Sequence, residues 1–234
     1  MRKGTVVENL NAVRARIVAC CRACGRDPAT VALLAVSKTR PAEDLRAAYE
    51  AGQRDFGENY LQEALDKQGE LADLADGGLC WHFIGPLQSN KTRAAAEAFH
   101  WVHSVDRLKI AQRLSVQRPT QMPPLNICLQ VNIDGEASKS GAAPEEVAGL
   151  AAAVAQLPNL KLRGLMAIPA AREGAAEQRK PFARLAELLQ QLQVQLPDQP
   201  LDTLSMGMSG DMEAAIECGA TMVRIGTDIF GARQ

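Results

Sequence analysis

The chain has 234 residues, 47% hydrophobic and only 4% aromatic, with a formal net charge of −1. This length suits one α/β barrel with a core of aliphatic side chains and alanine, and the near-neutral balance leaves no concentrated basic face for nucleic acid. No apolar window is long enough to cross a bilayer, and an amphipathic pattern rather than an apolar block follows the basic Met1-Arg2-Lys3, so a cytoplasmic protein without a membrane partner is expected.

The opening segment reads as a helix. Thr5-Val6-Val7-Glu8 is a capping box, Gly25 is placed to end the helix, and Leu10, Val13, Ile17, Cys20, Cys21 and Cys24 form one face. Cys21 and Cys24 have CxxC spacing, but a zinc site needs about four ligands and no second pair or histidine lies nearby. They read as small apolar residues, so no metal is expected, and without an export signal no disulfide is expected either.

Apolar strand runs then alternate with helical periods. Val31–Ser37 is a continuous apolar strand that ends on Lys38. A helix follows, with Pro41 in its first turn and Gly52 after its end. Further strands are expected near 54–57, 80–84, 101–105, 125–133, 162–168, 203–206 and 221–225. Between them lie helices through Leu61 and Leu65, after a cap at Ser89, through Leu108 and Leu114, from Pro144 to Leu157, through Phe182 to Leu192, and after a cap at Ser209. The alanine-rich stretch 170–178 reads as a mobile loop.

Eight strands separated by helices make right-handed parallel units that close a barrel. The fold expected is therefore α/β, a single (β/α)8 TIM barrel over residues 1–234, with the extra N-terminal helix covering the place of an eighth barrel helix. A doubly wound open sheet is the alternative; the strand count and the lack of an early glycine fingerprint argue against it.

Chemistry in such barrels sits at the carboxyl ends of the strands. Lys38 is at such an end, where partial desolvation lowers an amine's pKa and makes it a Schiff-base nucleophile. The loops after strands seven and eight, which commonly hold phosphate, are rich in small residues: Ser205-Met206-Gly207-Met208-Ser209-Gly210-Asp211 and Arg224-Ile225-Gly226-Thr227. Backbone N–H groups there, with hydroxyls from Ser205, Ser209 and Thr227, suit an anion. A reactive lysine beside a phosphate site points to pyridoxal 5′-phosphate, whose aldehyde forms an imine with lysine. Arg224 shares a strand face with Gly226 and can point inward. A guanidinium has only donors, so one facing the pyridine nitrogen keeps that nitrogen unprotonated and weakens the ring as an electron sink. The plainer reading of Arg224 is an ion pair with an acid such as Asp228.

Several runs together carry a resemblance: Leu34-Ala35-Val36-Ser37-Lys38-Thr39, Phe56-Gly57-Glu58-Asn59-Tyr60, Trp81-His82-Phe83-Ile84-Gly85-Pro86, Lys139-Ser140-Gly141, Ser205-Met206-Gly207-Met208-Ser209 and Val223-Arg224-Ile225-Gly226-Thr227. From about Val31 to Arg233 the chain resembles the pyridoxal phosphate homeostasis protein family, itself similar to the barrel domain of alanine racemases. The resemblance implies a covalent aldimine of pyridoxal phosphate at Lys38. It also implies phosphate contacts from Ser209, Gly226 and Thr227 with Ser205, and Arg224 at the pyridine nitrogen. Asn59 and His82 would line the ring's surroundings; a helix cap and a satisfied core histidine are their plainer readings. Lys139 matches a second lysine of the family pattern, either a way-station for cofactor or a loop charge.

Racemases of this kind bring a second base, a tyrosine, on an added β-domain. Here only Tyr49 and Tyr60 are present, and neither is placed for the role. The function expected is therefore binding and homeostasis of pyridoxal phosphate, with supply to client apoenzymes, by a monomer without robust catalysis. A pyridoxal-phosphate-dependent amino-acid enzyme with weak racemase-type activity is the alternative, and a cofactor-free aldolase a third.

Overall fold

A computed structural model describes residues 3–136 and 139–232; the opening Met1-Arg2 and the closing Arg233-Gln234 lie outside them. The eight expected strands are present, with ends moved by up to three residues: β1 (Ala32–Val36), β2 (Asp55–Glu58), β3 (Cys80–Phe83), β4 (Trp101–Val105), β5 (Leu125–Gln130), β6 (Leu160–Met166), β7 (Thr203–Ser205) and β8 (Met222–Ile225). Each pairs in parallel with the next, and β8 returns to β1 through Leu34 opposite Arg224, closing the barrel. The outer layer is α1 (Lys3–Ala23), α2 (Ala42–Glu50), α3 (Leu61–Glu70), α4 (Thr92–Ala98), α5 (Leu108–Gln117), α6 (Val147–Ala155), α7 (Ala175–Gln195), α8 (Met212–Glu217) and α9 (Thr227–Phe230).

The main core lies between sheet and helices, where Phe56, Phe83, Phe99, Phe182 and Phe230 are fully buried. The lumen is divided differently. Leu34, Ile84 and Met222 make one small apolar cluster; Trp101, Cys128 and Met166 make another. The lumen also holds buried polar side chains, among them His103 and Ser205. There is no room for a side chain at Gly164, where β6 meets β7: a methyl there would lie 1.9 Å from the Thr203 carbonyl oxygen.

As expected, α1 fills the gap in the outer layer, packing beside α2, α8 and α9 through buried Val6, Leu10, Val13, Ile17 and Cys21. Gly25, at φ 72°, ends the helix as expected, but the start and the last residue of the face correct the sequence reading. The helix already runs at Lys3, so Thr5 and Glu8 are interior rather than a cap, and Cys24 is exposed beyond the last turn. Two further caps are replaced. Ser89 contributes its carbonyl, to the Thr92 hydroxyl, and the residue preceding α8 is Asp211 rather than Ser209. The stretch 170–178 is shorter as a loop than expected, since α7 begins at Ala175. Asp134 holds it, accepting from Ala170 N and from Arg172, each at 2.6 Å.

Candidate functional site

The backbone around Lys38 is held from below. Ser37 donates its hydroxyl to Glu58 Oε1 at 2.6 Å, and its carbonyl accepts from Lys67 Nζ at 2.7 Å. Lys67 pairs in turn with Glu58 at 2.8 Å, both side chains being nearly inaccessible. Burial raises the Glu58 pKa, and Lys67 and the Ser37 hydroxyl pull it back. Thr39, just after Lys38, sits at φ 62°, where a β-branched residue is strained by about 1–3 kcal/mol; Glu63 accepts its N–H. Strain at this turn is the expected cost of aiming the preceding side chain.

The barrel's carboxyl end opens into a cavity of about 260 Å³. Its polar wall is Lys38, Asn59, Ser209, Arg224, Gly226 and Thr227; Val36, Ile84, Ile168 and Met208 make the apolar wall. A side chain on Gly226 would meet Val36 O at 3.2 Å, so glycine lets the end of β8 lie flush beside the end of β1. Gly207, at φ 93°, has no room for a methyl either, Ala215 Cβ being 2.6 Å away, and its turn folds tightly beneath α8. Asp211 closes that turn by accepting from Met208 N at 2.6 Å. Arg16, from α1, fastens the two small-residue loops together. It reaches Asp228 at 2.6 Å, Glu213 at 2.8 Å and the Ser209 carbonyl at 3.4 Å.

Arg224 is 4% exposed and donates to the carbonyls of Ser205 and Ala167 and to Ser205 Oγ. Three of the five guanidinium N–H groups are thereby used, and the residue still lines the cavity. Burial pushes its pKa down to about 10, which leaves it charged at neutral pH. Asp228 pairs with Arg16, so the plain ion pair considered for Arg224 does not form.

Asn59 precedes α3 but does not cap it; its Oδ1 is buried, has no hydrogen-bond partner and belongs to a residue on the cavity wall. Two expected site residues lie elsewhere. His82 is fully buried, with Nε2 3.0 Å from Asp55 Oδ1 and Nδ1 2.9 Å from His103 Nε2, and it does not line the cavity. Ser205 lies behind Arg224, its hydroxyl 2.8 Å from His103 Nδ1. The plainer reading of His82, a satisfied core histidine, is therefore the correct placement. Lys139 lines an adjoining cavity of about 220 Å³ that shares Asn59, Ile84 and Ile168 with the first, and pairs with Glu136 at 3.4 Å and Asp134 at 3.7 Å.

Sequence reasoning missed Arg16, His103 and Asp55. His103 lies in a strand that the structure buries throughout, and neither it nor Arg16 carried a local sequence signal for its role. Among the described residues, the His, Cys and acidic side chains close enough to share a cation are Asp55, Cys80 and His82, not the CxxC pair.

Comparison with known proteins agrees with this geometry. Residues 9–234 match the family model described as alanine racemase, N-terminal domain. The chain is 67% identical to the pyridoxal phosphate homeostasis protein of Pseudomonas aeruginosa over 98% of its length and 96% of that protein's. Against the protein of the same description from Escherichia coli it is 54% identical, covering 98% and 97%. Among solved structures, PipY of Synechococcus elongatus with PLP bound superposes at a TM-score of 0.84 with 40% identity, covering 97% of this chain and 100% of PipY. A closed parallel barrel with these loops, matched end to end at this level of identity, belongs to the pyridoxal phosphate homeostasis protein family.

Proposed function

We propose that this protein binds pyridoxal 5′-phosphate in the cavity at the carboxyl end of the barrel and serves its homeostasis, holding the aldehyde and handing it to apoenzymes without robust turnover. One observation carries the reading: a strand-end lysine, a buried arginine and two small-residue loops face a single cavity. When bound, the cofactor supplies an electrophilic aldehyde and a ring able to withdraw electrons.

The residues fit that group. Lys38 offers the amine for covalent attachment. Ser209 and Thr227 offer hydroxyls, and their loops offer backbone N–H groups, to the phosphate. The unpartnered Asn59 Oδ1 offers an acceptor to the ring's polar edge, and Arg224 offers donors to a ring nitrogen that lacks a proton. Ile84, Ile168 and Met208 supply an apolar face for the ring. No tyrosine lines the cavity. Tyr49 donates to the Gly77 carbonyl on the outer layer, and Tyr60 is 55% exposed. A two-base proton transfer that uses a tyrosine thus lacks its second base in the cavity. Among the described residues no helix is long and apolar enough to cross a membrane, and we take the working form to be a cytoplasmic monomer.

The test is the absorbance spectrum of the purified protein with the cofactor added, before and after borohydride, followed by peptide mapping. A visible band that moves on reduction, with the label on Lys38, is expected. Label on Lys139 alone, or no band, would refute the assignment.

A further inference from the structure

We propose that Asp55, His82, His103 and Ser205 form one directed hydrogen-bond relay through the barrel lumen that positions Arg224 at the cavity. The contacts are continuous: Asp55 to His82 at 3.0 Å, His82 to His103 at 2.9 Å, His103 to Ser205 at 2.8 Å, Ser205 to Arg224 at 2.9 Å. Five strands contribute one residue each. Since β4 and β7 are not neighbours in the barrel, the bond from His103 to Ser205 crosses the lumen.

The direction of the relay follows from its two ends. A carboxylate only accepts, and a guanidinium only donates. Asp55 is held ionised: burial opposes this, and the contacts with His82 and Cys80 outweigh it. His82 Nε2 must then carry the proton. Burial keeps both rings neutral, lowering His82 and lowering His103 further. With one proton per ring, His82 Nδ1 accepts from His103 Nε2–H, and His103 Nδ1 accepts the hydroxyl proton of Ser205. That commits the lone pairs of Ser205 Oγ to the Arg224 Nη1–H. In the opposite sense, His103 Nδ1–H would point at the same oxygen, leave Nε2 of both rings without protons and face Asp55 with a lone pair.

The consequence concerns Arg224. Among its hydrogen-bond partners there is no carboxylate, only two carbonyls and Ser205. Asp211 acts on the guanidinium only through space, whereas Ser205 bonds Nη1 directly and turns it inward, so the unassigned N–H groups remain for the cavity. Asp55, His82, His103 and Ser205 are positioning residues: none of the four lines the cavity. This inference rests on the cavity being a pyridoxal phosphate site only for its last step, from Arg224 to the ring.

Its first test needs no cofactor. Long-range 1H–15N correlation spectra of the apo protein, simplified by a total of three histidines, should show His82 and His103 both protonated on Nε2 alone. Protonation of either ring on Nδ1 overturns the relay. The second test loads pyridoxal phosphate onto D55N and S205A. D55N should shift the His103 nitrogens, although residue 55 does not bond to that ring, and both variants should shift the visible band with binding stoichiometry retained. An unchanged band in S205A refutes positioning of Arg224 whatever happens to D55N. If the wild type takes up no cofactor, the proposed function fails while the tautomer result stands by itself.

Discussion

Arg224 and Asn59 make opposite demands on a ligand in the cavity. Arg224 is a desolvated cation that can only give hydrogen bonds; Asn59 Oδ1 is a buried acceptor that receives none. An orphaned buried acceptor costs about 1–3 kcal/mol. Asn59→Ala is therefore expected to leave the cofactor-free protein as stable as before, or more so, by thermal unfolding, while weakening pyridoxal phosphate binding on the order of tenfold, the value of one hydrogen bond of about 1.4 kcal/mol. Arg224→Glu replaces the donor by a group that accepts from a protonated ring nitrogen. Loss of α-deuterium from amino acids should rise above the wild-type background, and an unchanged rate with cofactor bound would show that Arg224 does not hold the ring in its weaker state. Lys38→Ala should abolish the reducible visible band with a melting temperature close to wild type, because the side chain leaves the end of a strand toward the cavity. Lys38, Arg224, Ser209 and Thr227 were legible in the sequence because strand ends and small-residue loops are local features. His103 and Asp55 were not, since their partners come from strands brought together only by closure of the barrel.

At the scale of elements, α1 does more than cover apolar surface. Its buried face seals the outer layer, while Arg16 ties α8 and the Ser209 carbonyl of the loop before it to the first turn of α9. Exposed pairs of this kind add little to stability. Arg16→Ala should thus change the melting temperature little and weaken pyridoxal phosphate binding about threefold to tenfold, as read by titration of the visible band, because the anion must then order two loops itself. Binding as tight as wild type would show that each loop holds its shape unaided. Leu10→Ala makes the contrast: a fully buried leucine lost from α1 costs about 2–5 kcal/mol of stability. The amphipathic stripe announced α1, but a capping-box pattern misplaced its start. Val6 is fully buried one residue after Thr5, and packing of that first apolar position carries the helix through the motif.

For the whole molecule, eight strands in alternation with helices made the barrel legible, whereas the filling of its lumen was not. That interior couples folding to pH. Burial lowers the pKa of His82 and, more, of His103. The unfolded chain takes up protons near pH 6.5 that the folded chain refuses. Stability therefore rises with pH across that region and is lost on acidification, by up to about 1.4 kcal/mol per pH unit for each histidine. Asp55, whose folded pKa is depressed, adds a loss of the same sign at lower pH. Urea midpoints should fall clearly between pH 7.5 and pH 5.5; equal midpoints would mean that these rings are already protonated in the native state.

Gly164 bears on how such a molecule can change over time. With no space for a methyl between it and Thr203, the seventh strand is anchored at its foot, whereas its upper end runs straight into the turn at Met206–Asp211. Insertions and substitutions in that turn can retune the grip on an oxyanion while the staves of the cask keep their alignment. A bulkier residue at position 164 would prise two staves apart and carry the damage upward to Ser205.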